Sequence, residues 1–185
     1  MIQRINPRSR ADQYGSRINR DHSPLLVYTI PSLSILLGSL IPALPIAAVM
    51  PFLPPIGFMI LIGWRLMRPG LLPLWAGVPF GMFDDLFSGQ PFGSAIFLWS
   101  LAMIGIELFE ARYPWSGFWQ NWLTAGIVIG AYLVLMLVFS GTSPSIHHVI
   151  ASGPQFLLSI LLYPIISRMV AWFDRLRLLR LRRLA

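Results

Sequence analysis

The stretch Leu71-Leu-Pro-Leu-Trp-Ala-Gly-Val-Pro-Phe-Gly-Met-Phe-Asp-Asp-Leu-Phe-Ser-Gly-Gln-Pro-Phe-Gly93 carries the adjacent Asp84 and Asp85, the only charged residues between Arg68 and Glu107. Soluble domains carry about one charged residue in four. So long a run with a single acidic pair, flanked by apolar sequence, reads as membrane-embedded. A carboxylate at membrane depth costs several kcal/mol unless it is paired, hydrated or neutralised, so the pair marks the place to look for function.

The whole chain agrees with its centre. Of 185 residues, 56% are hydrophobic and 11% charged, and mean hydropathy is +0.68. With spans of about 20 residues each, this length holds five or six transmembrane helices in one bundle and leaves no separate soluble domain. The absence of cysteine excludes a disulfide framework, a thiolate metal site and a cysteine nucleophile. Every basic residue is an arginine, and the net charge is +7. On so apolar a chain that charge belongs to the positive-inside rule, and nucleic acid is not implied.

The chain divides into a polar tail over 1–23, a transmembrane domain over 24–172 and an Arg/Leu-rich tail over 173–185. Residues 1–23 lack apolar periodicity and read as a disordered cytoplasmic arm. The apolar run from Leu25 to Met50 exceeds a signal-peptide core of about 7–15 residues and reads as an uncleaved first span. Further spans are expected near 54–67, 70–83, 91–110, 117–140 and 149–172. The second and third are short: such segments reach only about 21 Å as helices, against a hydrocarbon core of about 30 Å. Either Arg65 and Arg68 snorkel to pad them, or they form a re-entrant hairpin. Pro31, Pro42 and Pro45 interrupt the first span, Pro54 and Pro55 open the second, and Pro73 and Pro79 punctuate the third. Broken helices at membrane depth require protein or water to satisfy the freed backbone groups.

The arginines fix the count. With six spans and a cytoplasmic N-terminus, Arg4 to Arg20, Arg65, Arg68, Arg112 and Arg168 to Arg183 all fall on one side, as the loop-charge bias demands. Five spans would put one Arg-rich tail outside. Both termini are therefore expected in the cytoplasm, with Asp84, Asp85, Ser88, His147 and His148 at the outer end. Trp115, Trp119, Trp122 and Trp172 fall where an interfacial aromatic belt would lie.

An acidic pair can serve as a catalytic or proton-carrying dyad. Adjacent helical residues, however, diverge by about 100° and do not converge on one atom. The ordinary alternative is a polar turn and helix cap between two spans, or a partner-binding element. Gly77, Gly81, Gly89 and Gly93 are spaced for close helix approach, as are Gly126 and Gly130. At Gly89 and Gly93 a bulky side chain is expected to push apart a close contact. His147 and His148 are neighbours with no third ligand nearby, which disfavours a metal. Glu107 and Glu110 are expected to form a local ion pair with Arg112. The leucines of 175–183 scatter around a helical wheel, so that tail is drawn to anionic lipid by charge alone.

The pattern Gly81-x3-Asp85-Leu86-x2-Gly89-x3-Gly93, preceded by Trp64 and Pro69, resembles that of the rod shape-determining protein MreD family. The likeness is concentrated over 51–107 and agrees with six spans and cytoplasmic tails. The family's acidic position falls on Asp85, whereas Asp84 stands where many members are apolar. The resemblance implies an all-α bundle similar to the substrate-binding subunit of energy-coupling-factor transporters. It also implies a non-enzymatic component of the cell-wall elongation machinery in the bacterial inner membrane, without cofactor or metal. The implied partners are the bitopic protein MreC, the MreB filament, RodA and a class B penicillin-binding protein. Trp64, Pro69, Gly81, Asp84, Asp85, Gly89 and Gly93 form the expected partner-binding or structural motif. The alternative is a small-solute-binding transporter subunit, to which the proline-broken spans also point. A membrane enzyme is disfavoured, because the acids of the outer half lie on one segment and no Gly-x-Ser-x-Gly is present.

Overall fold

The computed structural model describes residues 24–44, 53–89, 91–113, 117–139 and 146–177. Among them are six α-helices: α1 Pro24–Ser39, α2 Ile56–Met67, α3 Gly77–Phe87, α4 Ser94–Arg112, α5 Phe118–Phe139 and α6 Ile146–Arg177. Short 3-10 turns follow α1 at Ile41–Ala43 and precede α3 at Leu74–Ala76. Four segments are long and apolar enough to cross a membrane: Leu26–Ala43, Ser94–Arg112, Phe118–Phe139 and Ser152–Arg177. The first helix ends well before Met50, and residues 45–52 lie outside the described residues. The last helix runs past 172 to Arg177.

The short second span has a physical explanation that neither expectation supplied. Helix α2 is the centre of the bundle: every residue from Gly57 to Leu66 is buried, and α1, α4, α5 and α6 all pack against it. A helix shielded from lipid need not match the hydrocarbon thickness, because protein covers its ends. Arg65 does not snorkel; it is 2% exposed. Nor is α2 half of a re-entrant hairpin. Its N-terminal Gly57 meets Ser39 at the end of α1, while Arg68, just after its C-terminus, meets Asp174 near the end of α6.

Helix α3 is short for another reason. A Cβ on Gly77 would lie 2.8 Å from the Ser100 backbone, and one on Gly81 would lie 2.7 Å from Ala95 and Ile96. The register therefore starts α3 opposite the middle of α4. The remaining length is covered by residues 68–76, where Leu71 N–H donates to Arg68 O at 3.1 Å and Ala76 N–H to Pro73 O at 2.9 Å. Pro73 stops a helix from continuing through this segment. Gly38 and Gly57 make a comparably tight crossing between α1 and α2.

Helix α6 contains Pro164, which has no N–H to give the carbonyl of Ile160. The Trp122 indole of α5 donates to that carbonyl at 3.3 Å. Trp122, expected only as a belt residue, thus repairs a proline break. Trp122→Phe should destabilise the protein by about 1 kcal/mol. In a Pro164→Ala background, where the backbone donor is restored, the same change should cost nearly nothing. Equal losses in both backgrounds, measured by thermal unfolding in detergent, would contradict the repair.

Candidate functional site

Asp84 and Asp85 sit in the last turn of α3, not in a loop, and both are buried, at 7% and 6% exposure. Their side chains part company as helical neighbours must. Asp85 faces the start of α4. Its Oδ2 accepts the Gly93 N–H at 2.8 Å and the Ile96 N–H at 3.3 Å, and its Oδ1 accepts the Ala95 N–H at 2.9 Å and the Ser94 hydroxyl at 3.3 Å. The Ser94 N–H donates to Pro91 O at 3.1 Å. The four amides from Gly93 to Ile96 are thereby all satisfied. Gly93 occupies the N-cap position and has no side chain to cap with; Asp85 supplies the cap across the turn. A carboxylate is the best group for this position, since it meets both the orphan donors and the positive end of the helix dipole.

Gly89 and Gly93 make that turn possible. Their φ angles are +68° and +97°, and a Cβ on either would meet nothing within 4 Å. This corrects the expectation of a close contact at these two positions. They are needed for left-handed backbone, whereas Gly77 and Gly81 are needed for space. Gly126 and Gly130 contact Ile160 and Phe156 of α6, so that stripe too is used within the chain.

Asp84 turns the other way, toward the Ser39 hydroxyl and the Tyr132 side chain. It has no ion-pair partner among the described residues. Ser39 Oγ and Trp99 Nε1, both buried nearby, form no hydrogen bond among the described residues. This end of the bundle therefore holds one carboxylate fully used by the fold and one left with unfilled capacity. Exposed Leu86 and Phe92 flank the turn. His147 and His148 fall at the start of α6, and their side chains lie outside the described residues.

Trp64 is fully buried at the opposite end. Its indole donates to Ser34 Oγ at 2.9 Å, and Ser34 in turn donates to the Pro31 carbonyl at 2.7 Å. The Arg177 guanidinium lies 5.8 Å over its ring. Pro69 is exposed in the turn after α2. The motif is thus not one site: Trp64 and Pro69 belong to the arginine-bearing end, and Gly81 to Gly93 to the other.

At the arginine-bearing end the structure holds ion pairs that sequence reasoning missed. Glu107 and Glu110 do not pair with Arg112; both meet the buried Arg65, the latter at 2.9 Å. Arg68 donates to Asp174 Oδ2 from Nε at 2.9 Å and from Nη2 at 2.6 Å, and Arg177 Nε donates to Asp174 Oδ1 at 2.6 Å. A lone Asp174 near the end of an apolar helix was the available signal.

Removing the Asp85 cap has a defined consequence. Asp85→Asn keeps the shape but loses the charge and turns an N–H₂ toward amide donors, so it should cost about 1.5–3 kcal/mol, the range for hydrogen bonds to charged groups. Asp84→Asn, which breaks no formed bond, should leave the melting temperature in detergent near that of the parent. Reversed sensitivities of the two variants would reject the capping role.

A family model for the rod shape-determining protein MreD matches residues 20–177. No curated protein matches the chain, and no solved structure does.

Proposed function

Because the chain belongs to the MreD family of rod shape-determining membrane proteins, we propose that it is a non-enzymatic scaffold of the cell-wall elongation complex in the bacterial inner membrane. It holds an MreC-like bitopic partner and acts with the MreB filament, RodA and a class B penicillin-binding protein. The family match carries this reading. The divergence of the two outer carboxylates supports it, since an acid/base pair must converge on one atom and these do not.

Within this reading Asp85, Gly89 and Gly93 build the turn that presents Leu86 and Phe92, and Asp84 offers unfilled acceptor capacity to a partner's donor. Both termini are cytoplasmic, supported by the one-sided arginines. The likeness to the substrate-binding subunit of energy-coupling-factor transporters belongs to the same reading.

The test is co-purification in mild detergent. Asp84→Asn should lower recovery of the MreC-like partner while leaving the monodisperse elution of the protein unchanged. Full recovery with Asp84→Asn would remove Asp84 from the interface. Co-isolation of a small solute or an ATPase subunit in place of cell-wall proteins would favour the transporter reading. An active periplasmic reporter fused after Ala185 would reject the six-span topology.

A further inference from the structure

The last turns of α6 have two faces of different character. Val170, Asp174 and Arg177 point inward, against Gly63, Arg68 and Trp64. Leu161, Ile165, Arg168, Trp172 and Arg175 are all exposed. Their spacing of four, three, four and three residues stacks them in one stripe along the helix. The stripe is apolar at its deep end and cationic at its shallow end, with an indole between the two arginines.

Among the described residues, the acids at this end of the bundle are already taken. Of the seven in the chain, Asp12 and Asp21 precede the first helix and Asp84 and Asp85 lie at the opposite end. The other three are engaged: Glu107 and Glu110 with Arg65, and Asp174 with Arg68 and Arg177. Arg168 and Arg175 form no ion pair or hydrogen bond among the described residues. Among the described residues no acid is left to supply their counter-charge, and an anion from outside the bundle can fill it.

The depth of Arg168 says from where. Helices α5 and α6 run antiparallel, with Gly130 opposite Phe156 and Gly126 opposite Ile160. Continued toward the end of α6, this register brings Arg168 level with the start of α5, where Phe118 and Trp119 are exposed. Exposed aromatic residues at a helix end mark the headgroup layer. An arginine there lies at the level of lipid phosphates, and its planar fork suits phosphate oxygens.

From the stripe, its free charges and its depth, we infer that this face of α6 is a binding site for an anionic phospholipid. The phosphate lies between Arg168 and Arg175, the indole of Trp172 rests against the glycerol region, and an acyl chain runs along Ile165 and Leu161. The site is independent of the protein partner proposed above.

The experiment uses the full chain, delipidated in mild detergent and titrated with phosphatidylglycerol, with adducts counted by native mass spectrometry. Phosphatidylcholine tests the headgroup, and inorganic phosphate tests a free-anion site. Arg168→Gln/Arg175→Gln should weaken phosphatidylglycerol binding about thirtyfold, at about 1 kcal/mol for each arginine and tenfold for each 1.4 kcal/mol. Each single change should weaken it about fivefold by the same conversion, which keeps the test intact if the double variant fails to accumulate. Arg112→Gln, an exposed arginine outside the stripe, should leave binding unchanged. Parental affinity in the stripe variants, equal binding of phosphatidylcholine, or full competition by inorganic phosphate would each overturn the site.

Discussion

Gly81→Leu is expected to leave almost no monodisperse protein in detergent extracts, although the same change at Gly89 is expected to be tolerated. A Cβ at Gly81 would come within 2.7–2.8 Å of the Ala95 and Ile96 backbone, which cannot move aside as a flexible side chain would. Overpacking typically costs about 1–3 kcal/mol and occasionally more, and the rest of the leucine side chain adds to it. The displacement would also move α3 off the start of α4 and take the Asp85 carboxylate from the amides of Gly93, Ala95 and Ile96. Packing and capping would thus fail together. At Gly89 the space is open, and only the left-handed backbone is penalised, by about 1–2 kcal/mol. Fluorescence-detected gel filtration after a heating series would rank the two. If Gly81→Leu survives heating as well as Gly89→Leu does, the α3–α4 contact is looser than described.

The second large effect is an asymmetry at the other end of the bundle. Arg65 is the buried member of its cluster; Glu107 is half exposed at 51% and Glu110 less so. Glu107→Gln/Glu110→Gln therefore leaves a guanidinium enclosed without counter-charge, a loss of about 3–5 kcal/mol for breaking a buried pair. Arg65→Met fills the space with an apolar chain and leaves two partly exposed acids that can turn to water, so its loss should be smaller. The double glutamine variant should unfold at a much lower temperature than Arg65→Met. Combining all three changes should recover most of the loss, because the enclosed charge is gone. A triple variant no more stable than the double one would show that the carboxylates act elsewhere.

How much of this was legible beforehand depends on whether a feature is local. Hydropathy and the one-sided arginines are properties of segments, and they give a six-helix membrane protein without reference to contacts. The divergence of Asp84 and Asp85 was equally local, since it follows from helical geometry at adjacent positions. The family resemblance rested on a short motif, and the match over residues 20–177 bears it out.

Other features are relations between segments, and only the tertiary structure decided them. Four glycines at similar spacing looked alike in sequence. Two of them touch α4 and two bend the chain, because the first pair lies within α3 while the second lies in the turn that reverses the chain into α4. The charges near the arginine-bearing end were matched to sequence neighbours, Glu107 and Glu110 with Arg112. Burial of α2 instead encloses Arg65, and a buried cation captures the nearest acids in space. A short span looked like a defect to be padded, yet it is short because it is central and does not face lipid. Sequence by itself determined that this is a helical membrane protein, four of whose helices are long and apolar enough to cross a bilayer, since transfer from water to lipid acts on each segment separately. Which carboxylate caps a helix, which is left free, and which arginines keep an unmatched charge depend on packing that brings distant residues within hydrogen-bond reach.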